Sequence, residues 1–426
     1  MIKLFNYLLI SNIFTGAFVF YCGNFDFYIS YIFMSCFLLT YMIFYRKINI
    51  NRFSFYVLMF IFILSLVSVF QGNNSIFLLL KVMIGFILNG VTYYLLIRLN
   101  DNKVDGLFRI YMQIACLVAL IGIFQEISYL IGFRGGYDYR SFIPRIVPPY
   151  AQSGILRVTS IMQEPSHFGN VMAPAVFVSV LNIIRQERHF IDIKMSFLII
   201  ISILLSFSLV AYIGIVIALI LIMLNYKRIK LICVSAIILF ILMFTAYRCL
   251  PNIQLRVSQT VAVINGKIPL ESANLSTFAF CSNGLVALKS FMSNPLFGAG
   301  LGSHPFSYDK YISQIVNPDL NKVHINREDA SSMFLRIISE TGLLGIFLFT
   351  FFIFRFYVSK KKDGYYWVIS NAIFCLFVLN LLRQGNYFYN GFIFFMWAYY
   401  FLNKNIIESN ATKLMHKVEN TLLVKK

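Results

Sequence analysis

A guanidinium, a carboxylate and an imidazole lie close together in the stretch R-V-T-S-I-M-Q-E-P-S-H-F-G, residues 157–169. They belong to Arg157, Glu164 and His167, between the end of one long apolar run and the start of another. Charged groups at the edge of a hydrocarbon layer are costly, so they mark a functional site by default. Pro165 suits the first turn of a helix and keeps Glu164 extended, which predicts a helix start here. The structural alternative is a plain polar helix cap.

Composition places the chain among polytopic, all-α integral membrane proteins. Of its 426 residues, 59% are hydrophobic and 12% are charged. Apolar runs of membrane length recur throughout, so we expect a single membrane domain, 1–426. The net charge of +19 is concentrated in short loops, where it sets topology rather than binding nucleic acid. The cysteines show no metal-ligand spacing, although Cys249 and Cys281 would form a disulfide if both lay outside the membrane.

The apolar runs predict about twelve membrane-spanning helices. A run at 195–226 is too long for one span and has basic clusters at both ends, so we expect a break near Ser206–Ser208. Because basic loops face the cytoplasm, both termini are expected there. The expected spans are 4–21, 28–45, 53–70, 76–98, 107–132, 168–184, two within 195–226, 230–249, 340–358, 365–382 and 387–402.

Two long external loops remain, at 133–167 and at 250–339, the second and larger one between helices 9 and 10. The first carries Arg140 and Arg145 in addition to Arg157. Arginines outside the membrane run against the positive-inside bias, and each presents a planar fork that grips phosphate or carboxylate. An anionic ligand explains them, and pairing with lipid headgroups is the alternative.

The second loop contains an expected amphipathic helix near 276–293 and then the run N-P-L-F-G-A-G-L-G-S-H, residues 294–304. Its glycines, including Gly298 and Gly300, allow backbone amides to approach a ligand. A tight turn is the alternative. Polar residues follow that are candidates for binding substrate: His304, Arg327 and Glu340.

These motifs resemble those of the O-antigen polymerases, the Wzy-type members of a superfamily that includes the O-antigen ligases. Three sequence motifs carry the resemblance: residues 157–169, residues 294–304, and the run E-T-G-L-L-G at the end of residues 331–345. It implies a metal-independent glycosyltransferase without cofactor, at the outer face of the bacterial inner membrane. Such an enzyme moves a growing glycan from undecaprenyl diphosphate onto the next lipid-linked repeat unit, making O-antigen or capsular polysaccharide. Membrane lipids and a chain-length regulator protein are the implied partners.

By the same resemblance, Arg157, Glu164 and His167 fall on the catalytic motif. Displacing a diphosphate from an anomeric carbon needs cations on the leaving group and a base on the incoming hydroxyl. We expect Arg157, with Arg140 or Arg145, to bind the diphosphate. Either Glu164 or His167 then serves as the base.

Two other functions compete with polymerisation. Ligases carry a His-Asn pair shortly before the terminal motif, where this chain has Ser331 and Ser332, and His324 is out of register with it. That difference favours a polymerase. A lipid-linked sugar flippase or transporter would show internal repeats and a charged central cavity, and neither is evident in this sequence.

Overall fold

The computed structural model describes residues 1–22, 25–45, 52–152, 154–227, 247–248, 251–317, 324–360 and 365–423, and the protein is mostly helical, at 72%. The span expected at 230–249 therefore lies outside the described residues, apart from 247–248. The suggested disulfide cannot be followed either, because Cys249 is among the residues not described.

The described residues form sixteen α-helices and two short antiparallel β-hairpins. The helices are α1 Ile2–Ser11, α2 Ile29–Tyr45, α3 Arg52–Phe70, α4 Ile76–Leu99, α5 Val104–Leu130, α6 Arg134–Tyr137, α7 Pro165–Val171, α8 Ala173–Arg185, α9 Ile193–Leu204, α10 Leu209–Tyr226, α11 Pro251–Ile264, α12 Leu275–Ser293, α13 His304–Tyr311, α14 Met333–Phe356, α15 Tyr366–Arg383 and α16 Phe392–Leu423. The hairpins pair β1 Val19–Cys22 with β2 Phe25–Tyr28, and β3 Ala151–Gln152 with β4 Ile155–Leu156.

Several helices are long and apolar enough to cross a membrane. Among the described residues there are five, or six if the bent pair α7–α8 is one span. They are α4, α5, α10, α14 and α15. The expected count of about twelve is not supported by this measure, because apolar run length overestimates helix length. The run 4–21, for example, contains a helix that ends at Ser11, a short 3-10 turn and then β1.

The segment 250–339, expected to be a large external loop, is largely helical. It contains three helices, α11, α12 and α13, together with the first turns of α14. A helix expected near 276–293 is confirmed as α12, and Asn274 caps it by accepting hydrogen bonds from the amides of Ser276 and Thr277. The span expected to start at 340 instead starts at Met333, because Ser332 caps the helix there.

The break expected within 195–226 is confirmed. Helix α9 ends at Leu204 and α10 begins at Leu209. Between them the Ser206 hydroxyl donates to the Ile203 carbonyl at 2.6 Å, and Phe207 has a positive φ of 44°. The Ser206 amide also donates to that carbonyl, at 3.2 Å, so the hydroxyl adds a second hydrogen bond at the end of α9.

The core that supports the site is formed by α8, which packs against α9, α10 and α15. Phe177, Trp367 and Phe377 are fully buried there. Helices α7 and α8 meet at a bend of 62°. Pro174 lies just beyond the bend and lacks the amide that would continue the helical ladder, which is a recognised cause of such kinks.

Candidate functional site

Glu164 and His167 share the first turn of α7. Glu164 is the extended residue that precedes Pro165, as the sequence predicts. The Nε2 atom of His167 lies 3.7 Å from Oε1 of Glu164, and the Ser166 hydroxyl donates to the same oxygen. The side chain of Glu164 is 44% exposed and that of His167 is 19% exposed. The pair is therefore half-open and within reach of a ligand.

Arg157 is positioned by the β3–β4 hairpin and by the end of α5. Its amide donates to the Tyr150 carbonyl at 2.9 Å. Just before it, the Leu156 amide donates to the Glu126 carboxylate at 3.0 Å. Just after it, the amides of 159 and 160 donate to the Gln125 side-chain oxygen at 3.1 and 2.9 Å. These contacts fix the backbone on both sides of Arg157 and leave its guanidinium free to face Glu164.

Two further arginines reach the same place, and the sequence did not single out either as a site residue. Arg256 lies on α11, and Arg383 is the last residue of α15. The charges of Arg157 and Arg383 both act on Arg256, and they also act on the Glu164 carboxyl. Three guanidiniums, from three separate parts of the chain, therefore surround one carboxylate.

These three arginines lack ion-pair partners of their own. In the described part of the chain, none of them has a carboxylate oxygen within 4.0 Å. All three are half-buried. Burial lowers the pKa of Arg157, and burial together with the charges of Arg157 and Arg383 lowers the pKa of Arg256. Half-buried cations that repel each other need an anion to offset the repulsion, so the cluster is a candidate anion-binding site.

Glu164 is ionised at neutral pH within this cluster. Burial raises the pKa of its carboxyl, but the charge of His167, the hydrogen bond from Ser166 and the charges of Arg383 and Arg157 outweigh it. The pKa is therefore below the ordinary value for a glutamate. A carboxylate with a lowered pKa is a weak base, and it stabilises a neighbouring imidazolium instead.

Arg145 approaches His167 through two tyrosines. Its guanidinium donates to the hydroxyl of Tyr28 at 2.5 Å and to that of Tyr389 at 3.2 Å, and it pairs with Asp26 at 2.8 Å. The two phenol oxygens are 2.5 Å apart. The ring of Tyr389 meets the ring of His167 edge-on, with centroids 5.9 Å apart. Arg145 thus borders the site and holds Tyr389 against His167.

Arg140 and Arg327, both expected to bind substrate, have internal carboxylate partners. The Arg140 fork makes two hydrogen bonds of 2.8 Å to Asp138, and they hold the pKa of that carboxyl down to about 2. Arg327 pairs with Asp309 and, at 2.7 Å, with Glu328. Each of these guanidiniums is engaged at the surface, in contrast to the three unpaired arginines around Glu164.

The glycine-rich run 294–304 is interlocked with a break in α14. Gly342 interrupts that helix with φ 60° and ψ −151°. The amides of 299 and 300 donate to the carbonyls of 339 and 340, and the amides of 343 and 344 donate to those of 295 and 296, all at 2.9–3.0 Å. Gly298 has a φ of 67°, and a Cβ there would lie 2.4 Å from the backbone of Glu340. Gly298 and Gly300 therefore serve a close backbone contact.

The Glu340 side chain is fully buried and joins three parts of the fold. One oxygen accepts from Arg336 Nε at 2.9 Å, and the other accepts from the Gly302 amide at 2.9 Å and from the Tyr387 hydroxyl at 3.0 Å. Arg336 also donates to the Gly385 carbonyl at 3.0 Å. The segment held in this way continues directly into Arg383 on one side and Tyr389 on the other. Glu340 consequently fixes the position of the segment that carries Arg383 and Tyr389, without itself facing the site.

His304 is buried next to this interlock and has two polar partners. Its Nε2 lies 3.0 Å from the Asn283 side-chain oxygen, and its Nδ1 lies 3.3 Å from the Ser339 hydroxyl. The Asn283 oxygen only accepts, so Nε2 carries the proton and Nδ1 accepts from Ser339. Burial, with the charges of Arg336 and Arg327, lowers the pKa of His304 to about 3. It is a neutral, structural histidine.

The predicted site residues thus fall into three groups. Arg157, Glu164 and His167 come together, and Arg145 borders them through Tyr389. Glu340, His304, Gly298 and Gly300 form the interlock behind the site, whereas Arg140 and Arg327 are paired at the surface. In the portion of the chain that the structure describes, no group of three or more His, Cys, Asp or Glu side chains is arranged to hold a metal ion.

Comparison with known proteins adds no further identification. No protein-family model matches this sequence, and no curated protein sequence matches it either.

Proposed function

We propose that this chain is a membrane glycosyltransferase that polymerises oligosaccharide repeat units carried on undecaprenyl diphosphate. The product is O-antigen or capsular polysaccharide. The observation that supports this most is the group of unpaired, half-buried guanidiniums of Arg157, Arg256 and Arg383 around Glu164 and His167. A diphosphate is the group that three arginines suit, because each planar fork can pair with phosphate oxygens.

A lipid-linked substrate agrees with the setting of this cluster. Arg383 is the last residue of α15, and the backbone beside Arg157 is bound by Gln125 and Glu126 near the end of α5. Both helices are long and apolar enough to span a membrane. A soluble nucleotide sugar would not need a site at such helix ends. A lipid diphosphate does, because its chain stays in the hydrocarbon layer while its headgroup sits at the edge.

The reaction is a displacement at the anomeric carbon of the growing glycan. A hydroxyl oxygen of the incoming repeat unit forms the new glycosidic bond, and the bond to the diphosphate oxygen breaks. The hydroxyl proton passes to His167, and the diphosphate leaves on its lipid with its charge balanced by Arg157, Arg256 and Arg383. Glu164, ionised beside the imidazole, stabilises the imidazolium that forms. In this assignment His167 rather than Glu164 is the base.

The topology belongs to the same proposal. We place about twelve crossings in a bacterial inner membrane, with both termini cytoplasmic and the cluster at the outer face. Four shorter apolar helices, Ile2–Phe14, Ile29–Tyr45, Phe55–Phe70 and Ile193–Leu204, then cross together with the neighbouring turns that extend them. A chain-length regulator is the expected protein partner.

An O-antigen ligase is the alternative within the same superfamily. Ser331 and Ser332, which stand where ligases have His-Asn, are both buried. The Ser331 hydroxyl donates to the Ala279 carbonyl at 3.1 Å, and that of Ser332 donates to the Leu381 carbonyl at 2.7 Å. Both hydroxyls are thus engaged with backbone, and this favours the polymerase.

The decisive experiment uses the purified chain in proteoliposomes with a defined undecaprenyl-diphosphate oligosaccharide. We expect products of increasing length, with one undecaprenyl diphosphate released per bond formed. Arg157→Ala should reduce the rate at least about a hundredfold, as removal of one charge-stabilising donor commonly does. Arg134→Ala is the matched control, since Arg134 lies in the same segment with its side chain 76% exposed.

Three results would contradict the proposal. One is a wild-type protein that elongates nothing. Another is transfer of a single repeat to a lipid A–core acceptor without elongation, which would indicate a ligase. The third is movement of the intact lipid-linked oligosaccharide across the bilayer without bond formation, which would indicate a flippase.

A further inference from the structure

Helix α12 has an apolar outer face and a partly polar inner face. Leu285, Leu288 and Met292 follow one another at helical spacing, and they are 44%, 46% and 69% exposed. The side chains that α12 buries include the polar ones of Ser282 and Asn283. A helix at a water-exposed surface shows the opposite distribution, with its apolar residues turned inward. The outer face of α12 therefore indicates apolar surroundings.

Helix α12 runs beside the first turns of α14 and in the same direction. The Ser331 hydroxyl donates to the Ala279 carbonyl at 3.1 Å, and the Ser290 hydroxyl donates to the Ser339 carbonyl at 3.3 Å. Because the residue numbers rise together along the two helices, α12 leads toward the break in α14 at Gly342. The turn after α12 lies at that break.

The length of α14 defines the depth of this turn. Helix α14 is long and apolar enough to span a membrane, but only its residues 343–356 follow the break. These reach about 21 Å across a hydrocarbon layer about 30 Å thick, so a crossing needs about six more residues before the break. The amides of Leu343 and Leu344 donate to the carbonyls of Pro295 and Leu296 at 2.9 and 3.0 Å. The turn therefore lies within the layer that α14 crosses.

A second apolar helix, α3, binds the same turn from another side. The Ser68 hydroxyl donates to the Ala299 carbonyl at 2.6 Å, and the Leu301 amide donates to the Ser65 hydroxyl at 2.9 Å. Ser65 lies about 20 Å along α3 from Arg52, the basic residue at the start of that helix. This distance is again less than the thickness of the hydrocarbon layer.

The irregular backbone of the turn has its hydrogen-bond partners within the protein. The Leu301 carbonyl accepts from the Asn74 side chain at 2.9 Å, and the Gly302 amide donates to the Glu340 carboxylate at 2.9 Å. These bonds add to those that residues 295–301 make with α14 and α3. Non-helical backbone at membrane depth is tolerated only where protein or a water-filled cavity satisfies it. The turn thus has the hydrogen bonding that a re-entrant segment needs.

The chain returns along α13, and its exposed side chains there are polar. The hydroxyls of Ser293 and Tyr311 lie 3.0 Å apart, so α13 ends beside the end of α12. Lys310 and Gln314 are exposed on this side. Lys289, the only charged residue in the sequence of α12, also turns toward it and donates to the Gln314 side-chain oxygen at 2.9 Å. The helix pair therefore has an apolar side and a polar side at the same level.

We propose that α12, the turn and α13 form a re-entrant segment, which enters the membrane, turns within the hydrocarbon layer and leaves on the same side. The outer face of α12, with Leu296 and Phe297, contacts the acyl chains of bilayer lipids, and the side of Lys310 faces water. Lipid is the occupant because the turn is bound to Leu343, itself an exposed apolar residue of a helix long enough to span. The inference requires that α14 crosses a bilayer and does not depend on the proposed reaction.

The test measures tryptophan fluorescence of the purified full-length chain in liposomes, with lipids brominated on their acyl chains as one quencher and aqueous iodide as the other. Tryptophan is introduced at one position at a time, and its signal is taken as the increase over the parent chain. Leu288→Trp and Phe297→Trp probe the proposed lipid contact. Phe347→Trp, at an exposed position of α14, is the reference, and Lys310→Trp is the matched control on the polar side. We expect lipid quenching of both probes to equal that of the reference and to exceed that of the control at least about threefold, with the order reversed for iodide.

Iodide quenching of both probes as strong as that of Lys310→Trp would overturn the proposal and place α12 in an external loop. Protection of both probes from both quenchers would overturn it as well, because it would indicate a covering protein such as a second copy of this chain. Should Leu288→Trp not fold, Met292→Trp on the same face replaces it. The measurement uses no substrate. A chain that shows the expected quenching but cannot elongate would count against the proposed function and not against the re-entrant segment.

Discussion

The hydroxyl of Tyr387 donates a hydrogen bond of 3.0 Å to the buried carboxylate of Glu340, although 47 residues separate the two in the chain. This bond joins the broken helix α14 to the segment between Arg383 and Tyr389. Both of those residues face the candidate site. The placement of Arg383 and Tyr389 therefore depends on the buried ion pair of Arg336 and Glu340, which lies behind the candidate site.

We expect Glu340→Ala to destabilise the protein by about 3–5 kcal/mol, because it leaves the Arg336 guanidinium buried without its partner. A double variant, Glu340→Leu with Arg336→Met, should recover part of the lost stability, because it removes the unpaired charge but still leaves the Gly302 amide and the Tyr387 hydroxyl without their acceptor. Thermal unfolding in detergent measures both. If the single and double variants unfold at the same temperature, the pair is not coupled as described.

Arg256→Ala and Arg383→Ala should each weaken binding of a lipid-linked diphosphate and slow elongation at least about tenfold, since each removes a charge-assisted contact. Arg140→Ala, which removes a guanidinium already paired with Asp138, should leave both nearly unchanged. Binding of undecaprenyl diphosphate to purified protein, with inorganic diphosphate as competitor, is the direct measurement. Normal affinity in both Arg256 and Arg383 variants would remove the anion-site assignment.

The roles of Glu164 and His167 are separated by pH. The pKa of Glu164 lies below the ordinary value, so its carboxylate stays ionised throughout the range from pH 5.5 to 8. Glu164→Gln should therefore reduce the elongation rate by the same factor at both ends of that range. His167→Gln should reduce it by about 10²–10⁴, the usual contribution of a general base. An ionised Glu164 gives a pH-independent defect in either role, so the discriminating variant is His167→Gln, which should also abolish the pH dependence of the wild-type rate. A pH–rate profile that His167→Gln leaves unchanged would count against His167 as the base.

His304 should make the fold sensitive to acid. Its pKa is lowered to about 3 in the folded protein, against about 6.5 for an unfolded histidine. Between these values the unfolded chain binds the extra proton, so stability is complete above about pH 6.5 and falls as the pH drops below it. His304→Gln should show a smaller loss of melting temperature between pH 7.5 and pH 5. An equal loss in both proteins would mean that another group is responsible.

Local signals in the sequence predicted part of this arrangement. Pro165 marks the start of α7, so the position of Glu164 and His167 at its first turn was predictable from the amino-acid sequence alone. The break between α9 and α10 was also predictable, because an apolar run of that length with basic residues at both ends must cross an even number of times.

Other parts depend on contacts between distant residues and could not be predicted. Arg383 reaches Glu164 because α15 packs against α7, and Arg256 on α11 comes within range of its charge only in the folded chain. Neither arginine belongs to a motif around Glu164. The glycines of 294–304 are equally suited to a ligand loop or to a tight turn, and only the break at Gly342 distinguishes the two. Helix lengths were overestimated because apolar composition does not indicate where a chain turns.

The interlock between the break in α14 and residues 295–300 bears on how this protein is made. The interrupted helix leaves backbone amides and carbonyls that lipid cannot satisfy. Their partners come from a segment synthesised earlier, and α14 is long and apolar enough to span a membrane. We therefore expect that segment to be in place before α14 inserts. Biogenesis therefore follows an order of assembly. A chain truncated before residue 295 lacks the backbone groups that pair with the break in α14, so adding α14 as an isolated peptide should not restore the fold.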